Sequence, residues 1–478
     1  MKKLLNSLFL LVLSVGILSA QSAEKKAVLK ALDAKTEHYG EIAHKIWNLA
    51  ELGYQEKESS KLLKNELKAA GFTIQEGVAE IPTAFVASYG SGEPVIGILA
   101  EYDALPGISQ EAVPTKQAKE GAAAGHACGH HLFGTGSSAA AIAVKEWLIA
   151  NNHTGTIRLY GTPAEEGGAG KVYMVRAGLF DDVDAVLHWH PSSGNGADAR
   201  SSLANKSAKF RFYGQAAHAA GAPERGRSAL DGVEAMNHMI NLMREHVPME
   251  TRMHYVITSG GEAPNVVPAF AEVFYYVRHP EMQNVRDIFE RVVKAAEGAA
   301  MGTGTRMEYE VIHGIYNLLP NEILGRQMHA NLSMVGGVEY TAEERQFAEK
   351  IMTSYPDLNA QIETASKIDD FDVVEKGTGG STDVGDVSWA VPTAGLGAAT
   401  WVPGTGAHSW QAVAAGGTSI GTKGMMVAAK TIALTAIDLF KNPGLCKEAS
   451  KELMRRRGDN FKYEALLGDR KPPLDYRK

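Results

Sequence analysis

The fold class of this chain follows from a short apolar run that ends in acidic residues, Val95-Ile96-Gly97-Ile98-Leu99-Ala100-Glu101-Tyr102-Asp103. An uninterrupted apolar run of this length predicts a strand that is buried on both faces, as in the sheet of an α/β protein. Polar residues at the carboxyl end of such a strand lie where these sheets place their binding and catalytic sites. The stretch therefore predicts an α/β fold with a functional site near Asp103.

Strands and helices alternate on both sides of this run. The other predicted strands of this group are the β-rich segments 84–89, 156–160, 185–188 and 391–396. The predicted helices are the periodic segments 27–71, 137–150 and 422–439, the first of which divides near Gly53 into two amphipathic helices. This alternation predicts a central mixed sheet flanked by helices.

The pattern changes in the middle of the chain, where the strands alternate between apolar and polar residues. These strands are predicted at 209–213, 255–258, 272–278 and 307–311, with helices at 228–246 and 285–299. Half-exposed strands of this kind predict a small antiparallel sheet. We therefore expect an inserted α+β domain at 202–318, catalytic parts at 24–201 and 319–441, and a charged C-terminal tail at 442–478.

The first 23 residues have the pattern of a secretory signal peptide. Met1-Lys2-Lys3 precedes an apolar stretch over 4–18 and small residues up to Ala23. The apolar part is too short for a comfortable membrane span. We expect an exported protein, in the simplest case in a bacterial periplasm, that has no membrane contact after signal removal.

The composition is that of a globular protein with a mildly acidic surface, with a formal net charge of −7 and 22% charged residues. No basic run with interleaved aromatic residues is present, which argues against nucleic-acid binding. The dense basic cluster Arg455-Arg456-Arg457 is expected to be a solvated helix end. The two cysteines, Cys128 and Cys446, are expected to be reduced, because a disulfide between them would consume a metal ligand.

A thiol, several imidazoles and a carboxylate pair lie in short loops that follow apolar runs. Cys128 and His130 share a tight loop that contains a glycine, His190 ends an apolar strand, and His408 lies in a glycine-rich turn. A lone Cys or His at any of these places is more often structural. Together, however, they form a set that binds catalytic divalent metal, so we predict a metal-dependent hydrolase.

Glu165-Glu166 is the carboxylate pair of this set. Acidic residues ahead of a helical stretch could complement a helix amino terminus, but that interpretation explains one acid well and two poorly. Adjacent residues point in different directions, so one carboxylate can bind metal while the other acts on a bound water. We assign Glu165 as the general base and Glu166 as a ligand.

With these residues assembled, the sequence resembles the di-metal aminoacylase and carboxypeptidase family of amidohydrolases, and within it the branch of the B-type subunits of aminobenzoyl-glutamate hydrolase. The similarity extends from about residue 27 to the end. It is carried by residues 125–134 (GHACGHHLFG), 161–168 (GTPAEEGG) and 214–220 (GQAAHAA). The resemblance implies a catalytic domain like that of the zinc peptidases, interrupted by a lid that also dimerises.

The resemblance also implies the roles of individual residues. Two divalent ions, zinc or manganese, are expected on five ligands, which are Cys128, His130, Glu166, His190 and His408. Cys128 is expected to bridge the two ions. Asp103 matches the family's supporting acid beneath the metal site. The chain departs from the wider group at two positions. Members of that group carry His where this chain has Glu101, and the ligand His130 is expected to compensate for that missing His. Many relatives carry Asp where this chain has His131.

In the lid, the resemblance implies that His218 reaches the partner's active site and stabilises the tetrahedral oxyanion. Asn265 and Arg278 are candidates for holding a substrate carboxylate, since arginine offers a bidentate fork. Gly380, in the glycine-rich segment 379–383, is a candidate for shaping the substrate pocket.

The expected activity is hydrolysis of small N-acyl amino acids or dipeptides, such as aminobenzoyl-glutamate, by a metal-activated water. A homodimer is expected through the inserted domain. Two alternatives remain open: a binding or regulatory subunit of a heteromer with a related subunit, and a hydrolase that uses a single metal ion.

Overall fold

The computed structural model describes residues 23–355 and 358–477. The signal peptide predicted at 1–23 lies, apart from Ala23, outside the described residues. The strands are β1 Thr73–Glu76, β2 Phe85–Ser91, β3 Val95–Ala100, β4 Leu105–Pro106, β5 Ala124–Gly125, β6 Gly155–Gly161, β7 Ala185–Ser192, β8 Ala199–Arg200, β9 Ala204–Tyr213, β10 Arg252–Ser259, β11 Phe270–His279, β12 Arg306–Ile315, β13 Val373–Val374 and β14 Thr393–Ala399.

Residues 23–33 are helical, and the helices after them are numbered from Thr36. They are α1 Thr36–Leu49, α2 Lys57–Ala69, α3 His130–Ala150, α4 Glu165–Gly168, α5 Gly170–Arg176, α6 Ala229–Met243, α7 Met282–Thr303, α8 Glu322–Val335, α9 Ala342–Met352, α10 Val384–Ala390, α11 Trp410–Gly416, α12 Ser419–Lys441 and α13 Gly444–Arg457.

The central sheet has six strands in the order β1-β2-β6-β3-β7-β14. The strands β6, β3, β7 and β14 run parallel, and β2 and β1 add an antiparallel edge. All six residues of β3 are buried, as its apolar run predicted. The predicted central mixed sheet flanked by helices is therefore confirmed.

Two long helices, α3 and α12, pack against each other and against the central sheet. α12 is long and apolar enough to cross a membrane by length and composition, yet 83% of its most apolar window is buried inside the protein. That burial is typical of a core helix. Small residues such as Gly136 make the packing close, because a Cβ there would lie 3.0 Å from the side chains of Met425 and Trp189.

The second sheet is antiparallel throughout, with the order β10-β11-β9-β12. α6 and α7 pack on one of its faces and form a separate core around Phe210, Phe212 and Tyr275. This sheet and its two helices are called the lid below. The predicted small antiparallel sheet is confirmed.

The segment expected to be a charged tail folds back onto the protein. α13 occupies its first part, and of the three arginines at its end Arg455 is exposed, whereas the other two are only partly solvated. Arg456 Nη1 lies 2.7 Å from Oε2 of Glu375, and Arg457 Nη1 donates to the carbonyl of Trp389 at 2.7 Å. Both cysteines are free, as predicted.

Candidate active site

The residues predicted to bind metal converge at one edge of the central sheet. Asp103 follows β3, Glu165 begins α4 after β6, and His190 lies in the last part of β7. Cys128 comes shortly after β5, and His408 follows β14. Because the strands β3, β6, β7 and β14 are parallel, their carboxyl ends meet at this edge.

Two sets of side chains share Cys128. Its Sγ atom lies 3.3 Å from Nε2 of His190, and the ligand atoms of Cys128, His130 and His190 lie within 4.8 Å of one another. The ligand atoms of Cys128, Glu166 and His408 also lie within 4.8 Å of one another. The structure thus brings all five predicted ligands together as two triads with one thiol in common, called the metal cluster below.

Hydrogen bonds at Nδ1 orient two of the imidazoles. Nδ1 of His130 lies 2.8 Å from Oδ1 of Asp103, and Nδ1 of His190 lies 2.7 Å from the carbonyl oxygen of Pro191. Because both oxygens accept, Nδ1 donates and Nε2 keeps its lone pair for a cation. Burial, followed by the neighbouring His130, lowers the pKa of His190 to about 4, which keeps that ring neutral.

The neighbouring carboxylates of α4 point to different parts of the metal cluster. Glu165 lies with Glu101 and His130, whereas Glu166 lies against His408, whose Nε2 is 3.1 Å from Oε1 of Glu166. Burial, and then the charges of Glu101 and Glu166, raise the pKa of Glu165 well above its ordinary value. Two adjacent acids with separate surroundings match the requirement for one ligand and one base.

This turn holds an uncommon backbone conformation. Ala164, just before Glu165, has a φ of 59°, in the left-handed region that residues with a side chain rarely adopt. The N–H of Ala164 donates to Oε1 of the fully buried Glu56 at 2.8 Å, and the N–H of Glu166 donates to Oδ2 of Asp103 at 2.8 Å. Such conformations persist where the surroundings hold them, and they concentrate at functional sites.

His408 reaches the cluster from a similarly constrained position. Its φ is 60°, and its N–H donates to the carbonyl oxygen of Ala127 at 2.9 Å. This bond ties the His408 turn directly to the loop of Cys128. A cavity of about 600 Å³ lies beside His408 and is lined in part by Lys116 and Trp410.

The donor atoms of the metal cluster fit divalent metal ions. Nε2 of His130 faces Oε2 of Glu101 at 3.1 Å, and Oε1 of Glu166 faces Nε2 of His408 at 3.1 Å, but neither contact has the geometry of a hydrogen bond, so these three buried atoms lack a hydrogen-bond partner among the described residues. Buried polar atoms are nearly always satisfied, so three orphans in one place indicate a missing partner. Burial raises the pKa of the Cys128 thiol, and a bound cation would reverse this effect by stabilising the thiolate.

Lys171, which the sequence reasoning missed, supplies a buried positive charge beneath the cluster. Its side chain is fully buried, and Nζ lies 2.6 Å from Oε1 of Glu101 and 2.6 Å from Oδ1 of Asp383. The other oxygen of Glu101 lies 3.1 Å from Nε2 of His130. A lysine on a short helix ordinarily faces solvent, so no local signal identified this one.

Asp383 closes the glycine-rich segment that was expected to shape the substrate pocket. Asp383 is fully buried and accepts a hydrogen bond from Lys171, so this end of the segment helps to hold the buried lysine beside the metal cluster. Gly380 is exposed, and its carbonyl accepts the N–H of Leu203 at 3.0 Å.

His131 lies outside the metal cluster. It is fully buried, its Nε2 donates to the carbonyl of Gly416 at 3.0 Å, and its ring packs against His126. Burial, and then His126, lower its pKa well below the ordinary value, so the ring stays neutral. We interpret His131 as a packing residue that ties α3 to α11.

The predicted lid residues occupy two places. His218 and Asn265 lie on adjacent exposed loops, where His218 forms a bridge with Val266 and the carbonyl of Asn265 accepts the N–H of Ala219 at 3.0 Å. Arg278 lies on β11, partly buried. No hydrogen bond or ion pair among the described residues joins these side chains to the metal cluster.

The fold and this site together define a metal-dependent amidohydrolase. The chain belongs to peptidase family M20/M25/M40, whose model matches residues 97–431. It is 44% identical over 449 residues to the B-type subunit of p-aminobenzoyl-glutamate hydrolase of Escherichia coli (strain K12), covering 88% of this chain and 93% of that protein. It is 30% identical over 455 residues to a Xaa-Arg dipeptidase of Mus musculus, covering 91% and 94%.

Solved structures show the same fold. An aminobenzoyl-glutamate utilization protein from Klebsiella pneumoniae matches with a TM-score of 0.61 at 18% identity, covering 86% of this chain and 98% of that chain. A dinuclear metal binding peptidase of family M20 from Bacillus subtilis matches with a TM-score of 0.58 at 18% identity, covering 86% and 99%.

Proposed function

We propose that this chain hydrolyses the amide bond of small N-acyl amino acids or dipeptides, with aminobenzoyl-glutamate as the leading substrate, and that it binds two ions of zinc or manganese. The observation that carries the proposal is the pair of ligand triads that share Cys128 beside the separate carboxylate of Glu165. The name of the 44% identical relative supports the choice of substrate.

When bound, the ions would supply Lewis-acid chemistry that polarises the amide carbonyl and lowers the pKa of a water molecule. Glu165 takes the proton of that water and delivers it to the leaving amine. Its neighbour Glu166 is held by His408 and by the bond from its own N–H to Asp103, so the two acids keep distinct tasks.

His218 is proposed as the oxyanion donor. Its Nδ1 accepts the N–H groups of Ala220 and Gly221 at 3.2 and 3.0 Å. The proton of a neutral ring therefore sits on Nε2, which is free to donate from an exposed loop. Such a donor accelerates the reaction because negative charge develops on the carbonyl oxygen only as the water attacks.

We propose that His218 serves the active site of a second copy, through a dimer formed by the lid. β10 is an edge strand of the lid sheet, and Tyr255, Val256 and Ile257 on it are 40%, 56% and 41% exposed. An exposed apolar edge strand is a template for pairing with another strand. A second copy that pairs there would cover this surface.

Arg278 is proposed to bind a substrate carboxylate. Its Nε atom is buried and makes no hydrogen bond among the described residues, and its guanidinium lies 5.4 Å from the centre of the Tyr276 ring. An arginine with an open donor and a fixed plane suits bidentate binding of a carboxylate. Asn265 is likewise proposed to hold a substrate carboxylate, and Gly380 is proposed to shape the substrate pocket.

The test uses purified protein and the variant Glu165→Gln, assayed on aminobenzoyl-glutamate and on a set of N-acyl amino acids and dipeptides. Wild type should hydrolyse at least one of them and contain two metal ions per chain. The variant should keep both ions and lose hydrolysis. One ion per chain would favour the single-metal alternative, and undiminished hydrolysis by the variant would exclude Glu165 as the base.

A second candidate function is that of one component of a heteromeric hydrolase. It is favoured because the 44% identical relative is named as the B-type subunit of its enzyme. The chain also matches the A-type subunit of the Escherichia coli enzyme at 28% identity over 275 residues, which cover 55% of this chain. Under this alternative the purified chain binds metal yet hydrolyses nothing until a related subunit is added.

A further inference from the structure

The last described residues, 461–477, form a segment without helix or strand that is called the strap here. Two adjacent side chains of the strap enter different cores. Leu466 is 3% exposed and belongs to the core of the lid, whereas Leu467 is 4% exposed and belongs to the core formed by the central sheet and its flanking helices. The strap therefore runs along the junction of these two parts of the molecule.

Polar contacts fix the path of the strap on both sides of this junction. Arg470 Nη1 donates to the carbonyl of Ile312 on β12 at 2.9 Å. From the other side, Arg176 Nη1 donates to the carbonyl of Gly468 at 2.7 Å. Further along, Gln55 Nε2 donates to the carbonyl of Leu474 at 2.7 Å.

The strap ends on the backbone of a proposed metal ligand. The hydroxyl of Tyr476 donates to the carbonyl oxygen of Glu166 at 3.0 Å, and Arg477 Nη2 donates to the same oxygen at 2.8 Å. The Tyr476 ring packs edge-on against Tyr54, and Gly53 leaves room for it, since a Cβ at Gly53 would lie 2.3 Å from the Tyr476 hydroxyl oxygen.

The carbonyl that the strap holds has a backbone conformation of its own. Glu166 has φ −69° and ψ 66°, the values of an inverse γ-turn, so its peptide group does not continue a helix. Its N–H is held on the other side by Asp103. The N–H and the carbonyl of Glu166 are therefore both held, which fixes the backbone on either side of the Cα atom from which its carboxylate reaches toward Cys128 and His408.

We propose that Tyr476 and Arg477 are positioning residues for the metal cluster: by fixing the Glu166 carbonyl, they hold the carboxylate of that residue in its triad. The inference rests on the proposed function, because it takes Glu166 to be a metal ligand. Both side chains act through Glu166, because each donates to its carbonyl oxygen. Outer-shell partners of this kind change metal affinity or activity by about 10- to 100-fold when removed, because the ligand they orient loses its geometry.

The test compares full-length wild type with Tyr476→Phe, Arg477→Ala and the double variant, each stripped of metal and titrated with Zn²⁺ against a chromophoric chelator. The double variant should bind Zn²⁺ at least about 10-fold more weakly, each single variant less so, and Arg477→Lys should recover most of the affinity. Lys471→Ala is the matched control, because Lys471 is an exposed strap residue whose side chain lies 3.3 Å from Glu80.

Urea unfolding of the metal-free proteins separates positioning from folding. The positioning role predicts weaker Zn²⁺ binding in the double variant with a metal-free unfolding midpoint close to that of wild type. If the double variant binds Zn²⁺ with wild-type affinity, the positioning role is excluded. It is also excluded if the double variant loses Zn²⁺ affinity only in proportion to a loss of folded protein. If Cys128→Ser and Glu166→Gln leave Zn²⁺ binding unchanged, the proposed function itself falls, which is a distinct result.

Discussion

Asp103 joins His130 and Glu166 through its two oxygens: Oδ1 accepts the Nδ1–H of His130 and Oδ2 accepts the N–H of Glu166, each at 2.8 Å. Burial opposes ionisation of Asp103, but in the metal-free protein the charge of a protonated His130 and these hydrogen bonds lower the pKa of Asp103 below the ordinary value. One carboxylate thus orients a proposed ligand from each of the two triads.

We predict that Asp103→Asn weakens metal binding about 10- to 100-fold. An asparagine of the same shape has one accepting oxygen for two donors, so its amide group must face either the His130 or the Glu166 N–H. Zn²⁺ titration of the metal-free variant measures the loss. Asp182→Asn, at a carboxylate 64% exposed that pairs with Arg158, should bind Zn²⁺ like wild type.

Removing the charge of Lys171 should destabilise the protein before any metal is bound. Lys171→Met leaves Glu101 and Asp383 as buried acids without their counter-charge, which costs about 3–5 kcal/mol in comparable buried pairs. The free energy of urea unfolding of the metal-free protein measures this. The comparison is Lys35→Met, which breaks a solvent-exposed pair with Glu146 and should cost less than about 1 kcal/mol. Equal stabilities of the two variants would contradict the structural role of Lys171.

The parts of the fold that follow from local pattern were predictable. The strand predicted at 95–100 is β3, because a run without polar residues fits only a buried element. α3 was predicted from residue 137 but begins at His130, since a histidine pair after a glycine looks like a loop until its burial is known. The five proposed ligands could be grouped because each lies in a short loop after an apolar run, and three of them, Glu166, His190 and His408, come at or after parallel strands whose carboxyl ends meet at one edge.

Long-range partnerships were not predictable in the same way. Lys171 pairs with Asp383, 212 residues later, and nothing in the local sequence of either residue marks it as buried. The strap lies in the predicted charged tail because seven of its 17 residues are charged, whereas Leu466 and Leu467 give it two anchors in packed cores. Pairwise contacts of this range depend on the completed fold.

Asp386 should make the stability of the protein depend on pH. It is fully buried on α10, accepts the Tyr316 N–H and the Tyr463 hydroxyl, and has its pKa raised to about 7, chiefly by burial. Because an unfolded aspartate titrates near pH 4, the folded chain holds a proton that the unfolded chain releases between about pH 4 and 7. The contribution of this group to stability therefore decreases as the pH rises through that window.

The measurement is urea unfolding of metal-free wild type and Asp386→Asn at several pH values between 5 and 8. Wild type should lose stability relative to the variant by up to roughly 1 kcal/mol per pH unit as the pH rises toward 7. The difference should level off above that. Asp181→Asn, at an exposed carboxylate, should run parallel to wild type. A constant difference between wild type and Asp386→Asn would show that Asp386 keeps one charge state throughout.

The proposed sharing of His218 between two copies predicts complementation between two defective chains. Glu165→Gln removes the base from its own active site, and His218→Ala removes the oxyanion donor from the site of the partner, a change that lowers kcat by about 10²–10³ for such donors. A mixed dimer has one site with both defects and one site with neither. Random pairing on coexpression makes half of the dimers mixed, so about a quarter of wild-type activity should return. Each variant coexpressed only with itself should stay inactive, and a mixture no better than its parents would mean that His218 does not act across the interface between copies.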